Sequence, residues 1–304
     1  MGNPGWYEYM KDKTVLITGG TGGIGKQTAL ALAKLGARVI ITGRSQASGE
    51  AAVNELRRLS GNQDIDVLLV DLSTQAGVSS LADQLKQKYE RLDVLINNAG
   101  SAESQRRLTE DGIEADFAVN VITPFLLTHL LMNRLKSSPL ARVITLTGGD
   151  HPAKIELDNL QAERSFVGLE TYSHTKLIMM ALMYKFAQRV QGTNVTINVC
   201  YPGQASTSMT QSVTPQMVPF ALRLFWPLFR LMTRPDGGKS AAKAARSSIY
   251  LASSPRVEGV SGKYFNAKSG VVVWPDAILD DATRRHLWAT AEQLAFGTVG
   301  IPTR

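Results

Sequence analysis

The chain has 304 residues, 44 % hydrophobic and 19 % charged, which is enough for one large α/β domain with a buried core or two small ones. No window reaches the length of a membrane-spanning helix, and the polar, aromatic start Met1 to Lys13 does not read as a secretory signal. Cys200 is the single cysteine, so an internal disulfide is excluded, and the net charge of +7 is scattered rather than clustered, which argues against nucleic acid and leaves an anionic cofactor or surface as partner.

In chain order, strand patterns fall at Thr14–Thr18, Ala37–Thr42, Asp66–Val70, Leu92–Ile96, Arg142–Thr147, Val195–Cys200 and Lys263–Phe265. Helix patterns fall at Gly23–Leu35, Ala47–Leu59, Gln75–Tyr89, Asp111–Leu135, Tyr172–Val190 and Lys239–Ala252. The strands are nearly continuous apolar runs, as expected where helices cover both faces of a sheet. The alternation predicts a doubly wound parallel sheet of seven strands with right-handed crossovers. No linker interrupts it, so residues 1–304 read as one domain. Residues 204–238 are an excursion from the pattern, and 267–304 form a tail ending in a helix over Asp280 to Phe296.

The first strand runs straight into Thr18-Gly19-Gly20-Thr21-Gly22-Gly23-Ile24-Gly25, and a helix follows at once. A turn without side chains at a helix N-terminus lets backbone N–H groups and the positive helix end approach a pyrophosphate. The contacts expected of it come from Gly19, Thr21, Gly23, Ile24 and Gly25. The second strand ends Thr42-Gly43-Arg44-Ser45 with no acid to accept ribose hydroxyls. Arg44 is a forked cation suited to an extra phosphate, and Lys26 lies at the helix start, so NADP(H) is expected over NAD(H). Asp71-Leu72 after the third strand suits an adenine amino group. Asn97-Asn98-Ala99-Gly100 closes the fourth strand, with asparagine able to tie down backbone and Gly100 admitting a close approach.

Tyr172 and Lys176 stand four apart in a helix pattern and share one face. A free phenol titrates near pH 10. A neighbouring ammonium stabilises the phenolate, which makes Tyr172 a general acid that protonates a carbonyl oxygen, or a base in reverse.

The glycine turn, Asp71, Asn97 to Gly100, Asn120, Tyr172 with Lys176, and Pro202-Gly203 stand in an order that resembles the short-chain dehydrogenase/reductase family. The resemblance runs from about Lys11 to Phe265. Leu108 to Gly112, Phe125 to Thr128, Asp158 to Gln161 and Tyr250 to Pro255 look like its retinol-dehydrogenase-like branch. It implies a single Rossmann domain and a cytoplasmic NADP(H)-dependent oxidoreductase acting on a bulky apolar carbonyl or alcohol of retinoid, steroid or polyketide type. It also implies that Lys176 holds the nicotinamide ribose and that Asn120 supports a proton-relay water. Pro202, Gly203 and Thr207 would lie along the nicotinamide end. Family members are often dimers or tetramers, and nothing in the residues decides that here. No metal cluster is expected.

One position departs from the family. The family carries a catalytic serine at the end of the fifth strand, and by register that place falls on Gly148. Thr147 offers a hydroxyl one residue earlier, although neighbours on a strand point to opposite faces. His151 is a second donor, or simply a histidine of a surface loop. Three outcomes follow: Thr147 substitutes, the oxygen is held by another group at lower rate, or the fold serves a cofactor-binding or non-redox role. The intact Tyr172, Lys176 and Asn120 favour the first two. Within 209–235, Phe220, Leu224, Phe225, Trp226, Leu228, Phe229, Leu231 and Met232 are dense for a solvated loop. A pocket lid is the first reading by position. A peripheral membrane contact with Arg223, Arg230 and Arg234, a subunit interface, and plain core packing are the others.

Overall fold

The computed structural model describes residues 9–148, 152, 154–218, 223 and 226–297, apart from the side chains of residues 228, 229 and 232. Its centre is a sheet of eight strands in the order β3-β2-β1-β4-β5-β6-β7-β8. They are β1 (Thr14–Ile17), β2 (Arg38–Gly43), β3 (Ile65–Leu69), β4 (Val94–Asn97), β5 (Ala141–Leu146), β6 (Val195–Cys200), β7 (Tyr264–Phe265) and β8 (Val271–Val272). The first seven are parallel, and β8 turns back antiparallel on β7 through Tyr264 opposite Val272. The expected seven strands are thus present, and an eighth is added from what reads in sequence as tail. Two residues are too few to leave a period-2 signal.

Alternate strand residues feed two cores. Val15, Ile17, Val39, Ile41 and Ile144 pack with Ala29 and Leu32 of α1 (Gly23–Lys34) and Val53 and Leu56 of α2 (Gln46–Ser60). Leu16, Leu95, Val143 and Ile197 pack with Leu81 and Leu85 of α3 (Gln75–Lys88), Phe125 of α4 (residues 115–130) and Met179 of α5 (Gly168–Arg189). Helices on both faces explain why the strands read as unbroken apolar runs. The chain then adds α6 (Lys239–Ala244) and α7 (Arg246–Ser253), where one helix was expected. Helix α8 (Asp281–Phe296) closes the apolar face, its Trp288 ring 5.0 Å from Phe125 and 4.6 Å from Phe186.

Two helices depart from expectation in ways that shape the site. Helix α4 starts at Ala115, not Asp111, and consists of Ala115–Phe117, a π-helical turn Ala118–Ile122, and Thr123–Leu130. Pro124 has no N–H to give the carbonyl of Asn120, and the helix widens there. Thr123 Oγ1 instead donates to Ala118 O at 3.1 Å. Helix α5 starts at Gly168, a full turn before Tyr172, although Val167 offers no side-chain cap. The start is set by packing: a Cβ at Gly168 would lie 2.7 Å from Glu103 O and 2.9 Å from Met217 Cβ.

Candidate active site

The carboxyl ends of β1 and β4 lie side by side where the strand order reverses, the place at which open α/β sheets bind ligands. There the glycine turn and Asn98 are stitched together. Asn98 Nδ2 donates to Thr18 O at 2.8 Å and Gly19 O at 3.1 Å, and Thr18 Oγ1 accepts from Asn98 N and Ala99 N at 3.0 Å each. A Cβ at Gly25 would sit 2.4 Å from Gly19 O, so α1 can start this close only with glycine there. Gly22 caps α1 without a side chain, no acid occupies the first turn, and a Cβ at Gly22 would meet nothing within 4 Å. This open cradle of N–H groups fits a pyrophosphate. Thr21 leans over the end of β2, where a Cβ on Gly43 would come within 2.6 Å of its Cγ2, and Ile24, partly buried, packs against the core.

At the ends of β2 and β3, Arg44 and Asp71 are exposed. Asp71 is held below the usual carboxylate range, first by the Ser73 N–H and in part by the charge of Arg44. Leu72 is buried, and its carbonyl accepts from Thr123 Oγ1 at 2.5 Å. Lys26 does not reach toward this region: its ammonium pairs with Glu55 on α2 at 2.8 Å. That pairing lies between elements and has no signature in the chain.

At the other end, four predicted residues meet. A Cβ at Gly100 would lie 3.2 Å from both Asn120 Oδ1 and Lys176 Nζ. Asn120, 1 % exposed, accepts from Ser101 N and donates to Ser101 O and Thr175 Oγ1. Lys176 Nζ stands 5.7 Å from the centre of the Tyr172 ring. A cavity of about 10 Å³, room for one water, is lined by Lys176, Asn120, Asn97 and Thr145 among others. Asn97 Oδ1 there is buried with no protein partner among the described residues. Burial pushes the Lys176 ammonium down to about 8, with Asp116 pulling it back up. The phenol of Tyr172 is raised by burial and then by Asp116 and Tyr201, the reverse of the lowering expected from Lys176 alone. Desolvation outweighs the neighbouring ammonium, although part of the Tyr172 surface stays open.

Gly148 stands at the serine position read from the register. A Cβ there would lie 3.2 Å from Tyr172 Cε1 and 3.6 Å from its hydroxyl. Thr147 is buried at 3 % exposure, and its Oγ1 has no hydrogen-bond partner among the described residues. His151 and its neighbours Gly149 and Asp150 lie outside the described residues. Thr207 caps the short helix Ser208–Ser212 and lies over the turn, its Cγ2 3.1 Å from where a Gly23 Cβ would stand. Pro202 and Gly203 (φ +87°) lead the chain from β6 toward it. Of the lid residues, Phe220, Leu224 and Phe225 lie outside the description, as do the side chains of Leu228, Phe229 and Met232. Leu231 is 55 % exposed, and Met217 is buried against α5. The larger cavity, about 390 Å³, is at the opposite ends of β5 and β6 among Arg142, Gln188, Asn194 and Glu258, away from these groups.

Residues 13–218 match the family model for short chain dehydrogenases. The chain belongs to the short-chain dehydrogenase family. It is retinol-dehydrogenase-like in sequence: it is 38 % identical to human retinol dehydrogenase 14 over 96 % of this chain and 88 % of that protein. Human retinol dehydrogenase 13 is 35 % identical over 93 % and 84 %. The active-site complex of Pseudomonas aeruginosa RhlG with NADP is 26 % identical, with a TM-score of 0.63 over 91 % of this chain and all of that one. As a member of this oxidoreductase family, the short-chain dehydrogenase described here has a site for a nicotinamide cofactor. Among the described residues no group of three or more His, Cys, Asp or Glu could hold a metal, and no helix is long and apolar enough to cross a membrane.

Sequence reasoning missed three groups here. Asp116, 0 % exposed, takes Ser101 Oγ and Glu103 N on its two oxygens. Thr175 Oγ1 links Asn120 to the carbonyl of Tyr172. Glu114 caps α4 by accepting from Asp116 N and Phe117 N, and burial pushes it up to about 7. The one available signal was an acid four residues before Asn120 in an apolar run.

Proposed function

We propose that this chain is an NADP(H)-dependent oxidoreductase that moves hydride between nicotinamide and a bulky apolar carbonyl or alcohol, with Tyr172 as general acid/base. The supporting observation is the meeting of Tyr172, Lys176, Asn120 and Gly100 beside the Asn98-clamped glycine turn. The names of the relatives add support for an apolar substrate, and the RhlG complex with NADP adds support for the cofactor.

Gly19, Thr21, Gly22, Gly23, Ile24 and Gly25 would hold the pyrophosphate, Arg44 the extra phosphate, and Asp71 and Leu72 the adenine. Asn98, Ala99, Gly100, Pro202, Gly203 and Thr207 would line the nicotinamide half. When bound, the cofactor supplies or takes the hydride at the carbonyl carbon. Tyr172, kept neutral by burial, gives its proton to the carbonyl oxygen as that oxygen gains charge. Lys176, cationic below about 8, stabilises the phenolate left behind. The water-sized cavity between Lys176 and Asn120 is the route by which Tyr172 regains a proton. Thr147 is the nearest hydroxyl in sequence to the place over Gly148, and its unbonded Oγ1 is the candidate donor to the substrate oxygen. By its position in the chain the 204–238 segment is read as a lid over the substrate, and the protein as cytoplasmic.

The test is direct. Purified protein with NADPH and a panel of apolar ketones and aldehydes should consume cofactor, while Tyr172→Phe should bind NADPH as tightly and lose turnover. Binding without turnover in the unaltered protein would instead favour a cofactor-binding, non-redox role, the reading that Gly148 supports.

A further inference from the structure

The loop after β4, residues 100–103, is the wall behind Lys176, and it is gripped from one side by two groups a helical turn apart. Asn120 holds Ser101 by its N–H and carbonyl. Asp116 holds Ser101 Oγ at 2.8 Å and Glu103 N at 3.1 Å. On the other side, Glu103 O sits against Gly168, where α5 begins. The loop is therefore a spacer between the acid on α4 and the helix that carries Tyr172 and Lys176. Both Asp116 and Lys176 are buried, at 0 % and 5 % exposure.

We propose that Asp116 is a positioning residue for the reaction: it fixes the 100–103 loop against Lys176 and supplies the negative charge that keeps this buried lysine cationic. A lone ammonium at this depth loses its hydration, and an acid on a neighbouring element offsets that loss. The field of Asp116 acts on Lys176 in the cationic direction against burial. Burial pushes the Asp116 carboxyl itself upward, with the charge of Lys176 pulling it back down, and Arg107 also lies in its field. Glu103 on the loop is tied to Arg107 at 2.8 Å. Glu114 is spent on capping α4 and lies in the field of Arg106. Tyr172 and Tyr201 contribute only as phenolates. The inference rests on the proposed role of Lys176, but its test does not need turnover.

The experiment follows the full chain, without cofactor, by NMR titration of isotope-labelled lysine. Asp116→Asn keeps the shape and removes the charge, and the Lys176 midpoint should move to a lower pH. Ser101→Ala removes one grip but leaves the charge, and the midpoint should stay. The reciprocal arm uses labelled aspartate: Lys176→Met should raise the midpoint of Asp116, because coupling between two groups is mutual. This arm decides the matter if Asp116→Asn does not fold. An unmoved Lys176 in Asp116→Asn, or an unmoved Asp116 in Lys176→Met, overturns the proposal. With NADPH and a turned-over carbonyl, Asp116→Asn should lower kcat more than it changes KM and shift the alkaline limb of the pH profile downward. A purely structural role would lower the melting temperature and leave that limb in place.

Discussion

Gly148→Ser is the sharpest perturbation this site offers. Gly148 is absent from the glycines with positive φ, so a serine meets no backbone strain there. Its Cβ would lie 3.2 Å from Tyr172 Cε1, 3.6 Å from the phenol oxygen and 3.7 Å from Lys176 Cγ. The first contact is tight, and the Tyr172 ring must give by a few tenths of an ångström. In return a hydroxyl is placed within reach of the oxygen that Tyr172 would protonate. One preorganised donor of this kind changes kcat by about 10²–10³-fold, or roughly 3–4 kcal/mol of barrier. If the substrate oxygen receives no donor from Thr147 Oγ1, Gly148→Ser should raise kcat by about 10²-fold with little change in KM. Gly148→Ala supplies the Cβ without the hydroxyl and should cost a few-fold at most, which isolates the steric contribution. The assay is loss of NADPH absorbance with a carbonyl from the panel. A serine variant no faster than the alanine one would refute the reasoning, since the hydroxyl would then be redundant or misplaced.

Two further outcomes follow from the structure. Arg44→Ala should raise the KM for NADPH by about 10-fold, the loss of a charge-assisted phosphate contact, and leave NADH use almost unchanged; an equal effect on both cofactors would remove Arg44 from the phosphate. Glu114 titrates at about 7 in the fold against an ordinary 4.5. The folded state therefore holds the proton where the unfolded chain has lost it, so its contribution is greatest below pH 4.5 and falls as pH rises toward 7. Relative to Glu114→Gln, the native protein should lose up to about 3 kcal/mol across that window. Thermal melts of both proteins at several pH values check this, and parallel curves would contradict it.

Much of the cofactor half was legible because it is local. A strand, a glycine turn and a helix are contiguous, so Gly19 to Gly25 carry their own geometry, and Tyr172 and Lys176 share a face by spacing alone. The register that put Gly148 at the serine place was also legible, since β5 is an unbroken run. The start of α5 was not, because it depends on Glu103 and Met217 approaching Gly168. The break in α4 was half visible, in Pro124. The two-residue β8 was too short to see.

The sequence by itself determined the doubly wound plan, the glycine turn and the Tyr–Lys pair, because each is written in residues close along the chain. Tertiary structure decided which charges face one another. Lys26 turned to Glu55, and Asp116 took hold of the loop behind Lys176. Those meetings depend on strand order and helix packing between segments far apart in the chain, and a period of 2 or 3.6 carries no record of them.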